Sequence, residues 1–400
     1  MLVLPQYQAY RFPLYCSNWQ RDIFEQYGSR SIRLYDNERS LEMTVCPCIY
    51  GGDAATSKSQ AIDKELRRER DRIKRQIKIL LLGTGESGKT TFMKQMVIIH
   101  GGGEFTNDEL REFQKLIYWN ILDGMQALLN AKRKLGLHWK HEDLESKADA
   151  IRNCARQFVM ESRNFVQISG LIEELWTDDA IREAYERRSK FQINDSCKYF
   201  FDHIKRISLP NYVPTNRDVL FCRKATRNIR DYVVNIQNVP FRFIDVGGQR
   251  SQRQKWFMCF NQTLTSILFM VASSEYDQRL KEDNQRNRIV ESIEVFEVVV
   301  NHRCFVNVSI ILFLNKTDLL QEKIASVPIS KYFPDFIGDT QSLAEVQAFL
   351  KTKFVAKRRD PAQVLFSHYT TAVDTDNIKR VFNDVKATIL TDHLKYIMMQ

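Results

Sequence analysis

No long apolar run occurs in this chain of 400 residues. A bilayer-spanning helix needs about 20 predominantly apolar residues in succession. Leu264–Ala272 stops at nine residues and includes Thr265 and Ser266, and Val295–Leu314 is broken by Glu297, Asn301, His302 and Arg303. No membrane span is expected. A secretory leader is missing as well: residues 1–30 show neither a basic start nor an apolar stretch behind it, so a cytosolic chain is expected. Paired metal-ligand cysteines are also missing. The eight cysteines, at 16, 46, 48, 154, 197, 222, 259 and 304, are scattered, and Cys46 with Cys48 makes C-x-C, not C-x-x-C. Reduced thiols follow. There is no internal repeat and no low-complexity tract.

Apolar residues at 44% supply a substantial core, and charged residues at 27% are ordinary for a soluble protein, which excludes wholesale disorder and a collagen-like fibre. The length predicts two or three domains. An excess of 59 basic over 49 acidic residues gives +10. That charge suits nucleic acid, an anionic membrane surface or a phosphorylated ligand, and equally a plain solvated basic face.

Residues 1–42 carry five basic and five acidic residues and many aromatics, among them Tyr7, Tyr10, Phe12, Trp19 and Phe24. They contain no motif, and Met43 is a candidate alternative start. Residues 58–76 read as a charged helix, with Lys64, Arg67, Arg68 and Arg70 against Asp63, Glu65 and Glu69. It is a solvated face or, beside Cys46 and Cys48, a membrane-apposed one. Ile77–Leu82 is a short buried strand, followed by a glycine loop and a helix from Lys89. Leu110, Phe113, Ile117, Ile121, Met125 and Leu128 recur at spacings of three and four, which makes an amphipathic helix. Helical patterning continues to about Leu209. Strands are then expected at 232–236, 241–246, 266–272, 310–315 and 364–369, with helical patterns between the last four. A final helix starts near the cap candidates Thr375 and Asp376 and buries Ile378, Val381, Phe382, Val385 and Ile389. This alternation means a mostly parallel α/β sheet with an all-helical block inserted into its first crossover.

Three motifs carry chemistry. Gly83-Thr84-Gly85-Glu86-Ser87-Gly88-Lys89-Thr90 fits G-x-x-x-x-G-K-[ST] between a strand and a helix. Its backbone N–H groups wrap a phosphate, Lys89 adds charge, and Thr90 offers a hydroxyl to Mg²⁺. Asp245-Val246-Gly247-Gly248-Gln249 ends a strand. There Asp245 suits Mg²⁺ through water, the Gly248 N–H suits a γ-phosphate, and Gln249 suits an attacking water. Asn315-Lys316-Thr317-Asp318 follows an apolar strand. The Asp318 carboxylate accepts from guanine N1–H and the 2-amino group, a pair that adenine does not offer, and the Lys316 stem covers the base. The first motif is suggestive alone and the other two are weak, but their order at successive strand ends points to GTP. An ATP-dependent P-loop enzyme is disfavoured by Asp318. The charge-based nucleic-acid reading has no aromatic–basic platform behind it.

The chain resembles heterotrimeric G-protein α subunits over residues 60–400, most closely the twelve-thirteen class. Asp218-Val219-Leu220-Phe221-Cys222-Arg223-Lys224-Ala225-Thr226 is similar to the family's second linker and first switch. The resemblance makes Arg223 a built-in arginine finger and Thr226 a Mg²⁺ ligand with Thr90. It makes Asn194-Asp195-Ser196 the segment reaching over the nucleotide, and Thr370-Thr371-Ala372 the loop whose N–H groups read guanine O6. Glu86 matches the P-loop acid that pairs with the finger. The implied nucleotide set is Glu86, Ser87, Gly88, Lys89, Thr90, Thr91, Asp195, Ser196, Leu220, Arg223, Thr226, Asp245, Gly248, Asn315, Lys316, Asp318 and Ala372, with Gln249 and Arg223 catalytic. The class rests on Arg223–Thr226, Asn307–Leu320, Thr370–Ala372 and the ending Met398-Met399-Gln400. The chain departs from the family at Thr84 for alanine, Thr90 for serine, Asn228 for glycine and Thr371 for cysteine. Asn228 bears on recognition by proteins that accelerate hydrolysis.

The resemblance implies a Ras-like P-loop GTPase domain, with a mostly parallel six-stranded sheet, at 77–104 and 216–400, and an inserted helical domain at 105–215. Ahead of them come an extension at 1–57 and a helix at 58–76. It further implies a GTP/GDP switch that uses Mg²⁺, a βγ dimer, a seven-helix receptor and Rho guanine-nucleotide exchange factors as partners, and the cytoplasmic face of the plasma membrane with a cytosolic pool. Leu2 after Met1, or Thr44 after Met43, excludes N-myristoylation, which leaves Cys46 and Cys48 as palmitoylation candidates. A nucleotide-locked scaffold is the rival class, opposed by the presence of Gln249, Arg223, Thr90 and Thr226 together.

Overall fold

The computed structural model describes residues 61–67 and 76–398 apart from 104, 261–263, 284, 307, 361–362 and 364, with side chains given as far as 391. The extension at 1–57, Cys46 and Cys48, most of the 58–76 segment, and Asn307, Met399 and Gln400 of the class signature lie outside the described residues. Residues 61–67 are helical and exposed.

Six strands form one sheet: β1 (Ile77–Leu82), β2 (Arg230–Ile236), β3 (Val239–Asp245), β4 (Ser266–Ala272), β5 (Ser309–Asn315) and β6 (Leu365–Tyr369). Their order is β2-β3-β1-β4-β5-β6. Only β2 runs antiparallel, to β3. Both β2 and β3 begin two residues earlier than expected. The reason is a tight turn in which Gln237 and Asn238 take positive φ, at 52° and 65°. Such a turn matches the twist of the paired strands and lets the ladder run to its ends.

Alternation along each strand sorts side chains to two faces. Ile77, Ile79 and Leu81 face α1 (Lys89–His100) together with Phe241, Phe243, Leu268, Met270, Ile311 and Phe313. Leu80 and Leu82 face the opposite layer with Phe269, Leu312 and Leu314. Between β1 and β2 the chain is helical. Its main elements are α2 (Asn107–Lys134), α3 (Leu144–Arg152), α4 (Ser162–Thr177), α5 (Asp179–Glu186) and the short α6 (Asn216–Phe221). They bury a separate core that includes Ile117, Ile121, Met125, Leu128, Phe165 and Trp176. Thr106 and Glu109 form a capping box that starts α2, with Thr106 Oγ1 accepting from the Glu109 N–H.

The rest of the sheet's outer layers comes from α7 (Arg288–Val300), α8 (Thr317–Ile324), α9 (Leu343–Val355) and α10 (Thr375–Met398). In α10, Ile378, Phe382, Val385 and Ile389 are buried against the α1 face, and Val381 packs half-buried beside them. Its cap is neither Thr375 nor Asp376. Asp374 Oδ1 accepts from the N–H groups of Asp376 and Asn377, at 2.9 and 3.0 Å. Thr375 is already inside the helix. Among the described residues no helix is long and apolar enough to cross a membrane.

Candidate nucleotide site

All the motif loops leave the same edge of the sheet. The register pairs Leu81 with Asp245, Ala272 with Asn315, and Leu314 with Tyr369. The loops at 83–88, 245–249, 315–318 and 370–372 therefore converge outside the carboxyl ends of the parallel strands, where open α/β sheets bind ligands. One cleft is lined by all the implied nucleotide residues except Asp245, together with Gln249 and Asn194. Asp245 lies just beneath, bonded to two of them.

Lys89 opens α1 and is buried. Its Nζ donates to the carbonyls of Gly83 and Thr84 at 2.9 and 2.7 Å and to Ser87 Oγ at 3.2 Å. Burial pushes the ammonium down to about 8, with Asp245 pulling the other way. Gly248 packs directly on this group. A β-carbon there would sit 2.4 Å from the Gly83 and Thr84 carbonyl oxygens and 2.5 Å from Lys89 Nζ. No side chain fits between the phosphate loop and the Asp245–Gln249 segment, which by resemblance is the second switch. Gln249 follows, exposed at the mouth.

Thr90 Oγ1 lies 2.9 Å from Thr226 Oγ1 and donates to Asp245 Oδ2 at 2.8 Å. Thr226 Oγ1 donates to the same oxygen at 3.3 Å. Asp245 Oδ1 is buried with no partner, and burial raises its carboxyl above the usual range. Two hydroxyls with an unsatisfied carboxylate oxygen behind them suit a hard divalent cation that keeps most of its waters. Among the described residues no cluster of three or more His, Cys, Asp or Glu forms a metal cage.

A chain of charges crosses the cleft. Arg223 forms an ion pair with Glu86, whose backbone takes a left-handed φ of 66°. Arg288 reaches Glu86 at 3.2 Å, the Gly85 carbonyl at 3.0 Å and Glu275 at 2.7 Å. Lys316 spans Glu275 at 2.9 Å and Asp195 at 2.7 Å. Burial alone would lower the Lys316 ammonium, but the Asp195 and Glu275 carboxylates outweigh it and hold it above the usual lysine range. Arg288 and Glu275 carry no motif of their own. Their role follows from packing across more than 200 residues for Arg288 with Glu86.

Asn315 ties loops together. Its Nδ2 donates to the Ser87 carbonyl at 2.9 Å, and its Oδ1 accepts from Thr370 Oγ1 at 3.1 Å and the Ala372 N–H at 2.9 Å. The N–H expected to read guanine O6 is thus already bonded to Asn315 and reaches a base only by sharing. Asp318 stands half-buried at the same end, its carboxyl raised by burial. Beyond Gln249, Arg250 and Arg253 both pair with Glu291 of α7, at 2.7 and 2.6 Å. Trp256 is buried and donates its Nε1–H to the Gly247 carbonyl at 2.8 Å.

The family model for "G-protein alpha subunit" matches residues 56–389. The chain is 53% identical to a Caenorhabditis elegans guanine nucleotide-binding protein alpha-12 subunit over 356 residues, 88% of this chain and 99% of the relative. It is 49% identical over 362 residues to a mouse alpha-13 subunit, covering 89% and 96%. It is 52% identical over 349 residues to a rat alpha-12 subunit, covering 86% and 91%. The chain therefore belongs to the G-protein alpha subunit family of guanine-nucleotide-binding GTPases.

Proposed function

We propose that this GTPase hydrolyses its nucleotide with Arg223 and Gln249 and acts as a twelve-thirteen-type switch at the membrane. The observation that carries the reading is the convergence of Thr90, Thr226 and Asp245 beneath a P-loop that also receives Arg223. Gln249 orients the attacking water. The Arg223 guanidinium leaves Glu86 to offset charge on the transferring phosphoryl group, and Lys89 and the Gly248 N–H hold its oxygens. Thr90 and Thr226 would hold Mg²⁺, which would supply charge neutralisation to the nucleotide phosphates. Loss of the γ-phosphate frees Thr226 and Gly248, and with them both switches.

Coupling to a seven-helix receptor through α10, and to Rho guanine-nucleotide exchange factors, is supported by half-identity to alpha-12 and alpha-13 subunits. Palmitoylation of Cys46 and Cys48 beside the charged 58–76 segment would place the chain on the plasma membrane, with a cytosolic pool. Membrane fractionation of a Cys46→Ser/Cys48→Ser variant checks this: an unchanged membrane share overturns it.

Trp256 reports directly on the second switch. The GDP-loaded protein, given aluminium fluoride and Mg²⁺, should show a change in tryptophan fluorescence that is abolished by EDTA and by Trp256→Phe. No change, with GDP confirmed in the site, would favour the nucleotide-locked scaffold.

A further inference from the structure

A guanidinium is placed only as well as the backbone that carries it, and the backbone of Arg223 is held from two directions. Asn120, buried on α2, accepts from the Arg223 N–H through Oδ1 at 2.7 Å and donates through Nδ2 to the Arg223 carbonyl at 3.1 Å. One carboxamide thus satisfies both main-chain groups of a single residue, as a paired strand would. One position earlier, Lys94 of α1 donates to the Cys222 carbonyl at 2.6 Å and to the Val219 carbonyl at 2.8 Å. Those carbonyls lie at the C-terminal end of α6, where a cation is favoured. Lys94 is buried, with the Phe113 ring of α2 5.2 Å away.

We propose that Asn120 and Lys94 are positioning residues for Arg223, and that Asn120 makes the placement of the arginine depend on α2 being docked. Lys94 fixes the stem of the linker to the helix that begins at the phosphate loop. Asn120 fixes the arginine itself to the inserted bundle. Moving α2 away breaks both bonds to Arg223 while leaving Lys89, Thr90 and Asp318 in place. Undocking of the whole bundle would also withdraw Asp195 and Ser196 from the cleft, so it is loss of the Asn120 contact alone that slows hydrolysis with nucleotide still bound. The inference rests on the reading of Arg223 as the arginine that stabilises the transferring phosphoryl group.

The test is single-turnover hydrolysis of preloaded GTP by the full chain, with GTP retention measured alongside, in Asn120→Ala, Asn120→Asp, Arg223→Cys and each Asn120 variant combined with Arg223→Cys. Asn120→Ala should slow hydrolysis by about tenfold or more, since displacements of about 1 Å in a positioned group carry losses up to about 10²-fold, while GTP stays bound. Asn120→Asp keeps the accepting oxygen and should lose less. In the Arg223→Cys background either change should add less than about twofold, because residues acting through one group are non-additive. Rates within about twofold of wild type, an equal loss in the Arg223→Cys background, or a loss that tracks GTP release would each overturn the proposal. If Asn120→Ala does not fold, Asn120→Asp is judged by the same three criteria. Should Arg223→Cys itself hydrolyse at the wild-type rate, the reading of Arg223 falls first and this inference with it.

Discussion

Asp318 and Arg223 divide the work of the cleft between choosing the base and handling the phosphate. Burial raises the Asp318 carboxyl, and two N–H donors on one edge of guanine would favour its charged form. Asp318→Asn removes an acceptor and leaves facing donors, so GTP affinity should fall by about 2–3 kcal/mol, the worth of hydrogen bonds to a charged group. Competition binding checks this, and ATP competing as well as GTP against the unaltered protein would contradict the guanine assignment. Arg223→Cys and Gln249→Leu should each slow single-turnover hydrolysis with GTP binding retained. For Arg223 the loss should reach about 10³-fold, the lower end for an arginine finger. A wild-type rate in either variant would refute the catalytic assignment. Gly248 belongs with these residues for a steric reason, because the phosphate-loop carbonyls approach its α-carbon too closely for any side chain.

Among the elements, α1 joins the core to the site most directly. It begins with Lys89 and Thr90 in the cleft, and two residues later Phe92 is fully buried. Phe92 meets Phe243 and Phe313 edge-on, at 6.0 and 5.7 Å between ring centres. Phe92→Ala should therefore lower stability by about 3–5 kcal/mol, as large-to-small core changes do. Because the cavity lies under the first turn of α1, bound GTP should offset part of the loss. Denaturant unfolding with and without nucleotide measures both effects, and a loss under about 1 kcal/mol would show that the neighbouring rings collapse into the space. At the other end of the chain α10 depends on Asp374, whose side chain satisfies two N–H groups of its first turn.

At the scale of the whole molecule, two hydrophobic layers lie on the sheet and a third core lies among the inserted helices. The return connection is anchored by Asp218 of α6. It takes Arg206 at 2.9 and 2.7 Å, Tyr199 Oη–H at 2.8 Å and the Thr215 N–H at 2.9 Å. Burial would raise this carboxyl, but Arg206, the Thr215 N–H and Tyr199 outweigh it and bring it down to about 2. A carboxyl lowered on folding stabilises the folded state fully above its unfolded value, about 3.9, and loses that stabilisation as pH falls towards its folded value. Stability should thus decline between pH about 4 and about 2, and Asp218→Asn should flatten that slope while lowering stability at pH 7. An unchanged acid limb in Asp218→Asn, followed by thermal unfolding across that range, would assign the slope to other carboxylates.

Local order along the chain was enough to recognise a guanine-nucleotide switch. Three motifs stand behind three apolar strands, and an amphipathic block of about a hundred residues separates the first from the second. Strand and helix periodicity depend on which side of a backbone each residue faces, and that is written in neighbours two to four positions apart. The extended ladder of β2 and β3 was less legible, because the turn at Gln237 and Asn238 places two non-glycine residues at positive φ. Asp374 was missed as a cap for a related reason: Thr375 and Asp376 compete for the same role within a residue or two. Asn120, Lys94, Glu275 and Arg288 had no local signature at all. Asn120 meets Arg223 across 103 positions and Lys94 meets Cys222 across 128. A buried amide or ammonium acquires a partner only when packing brings distant carbonyls and carboxylates to it, so these contacts exist only in the folded chain, and that of Asn120 only once the inserted bundle is docked on the linker.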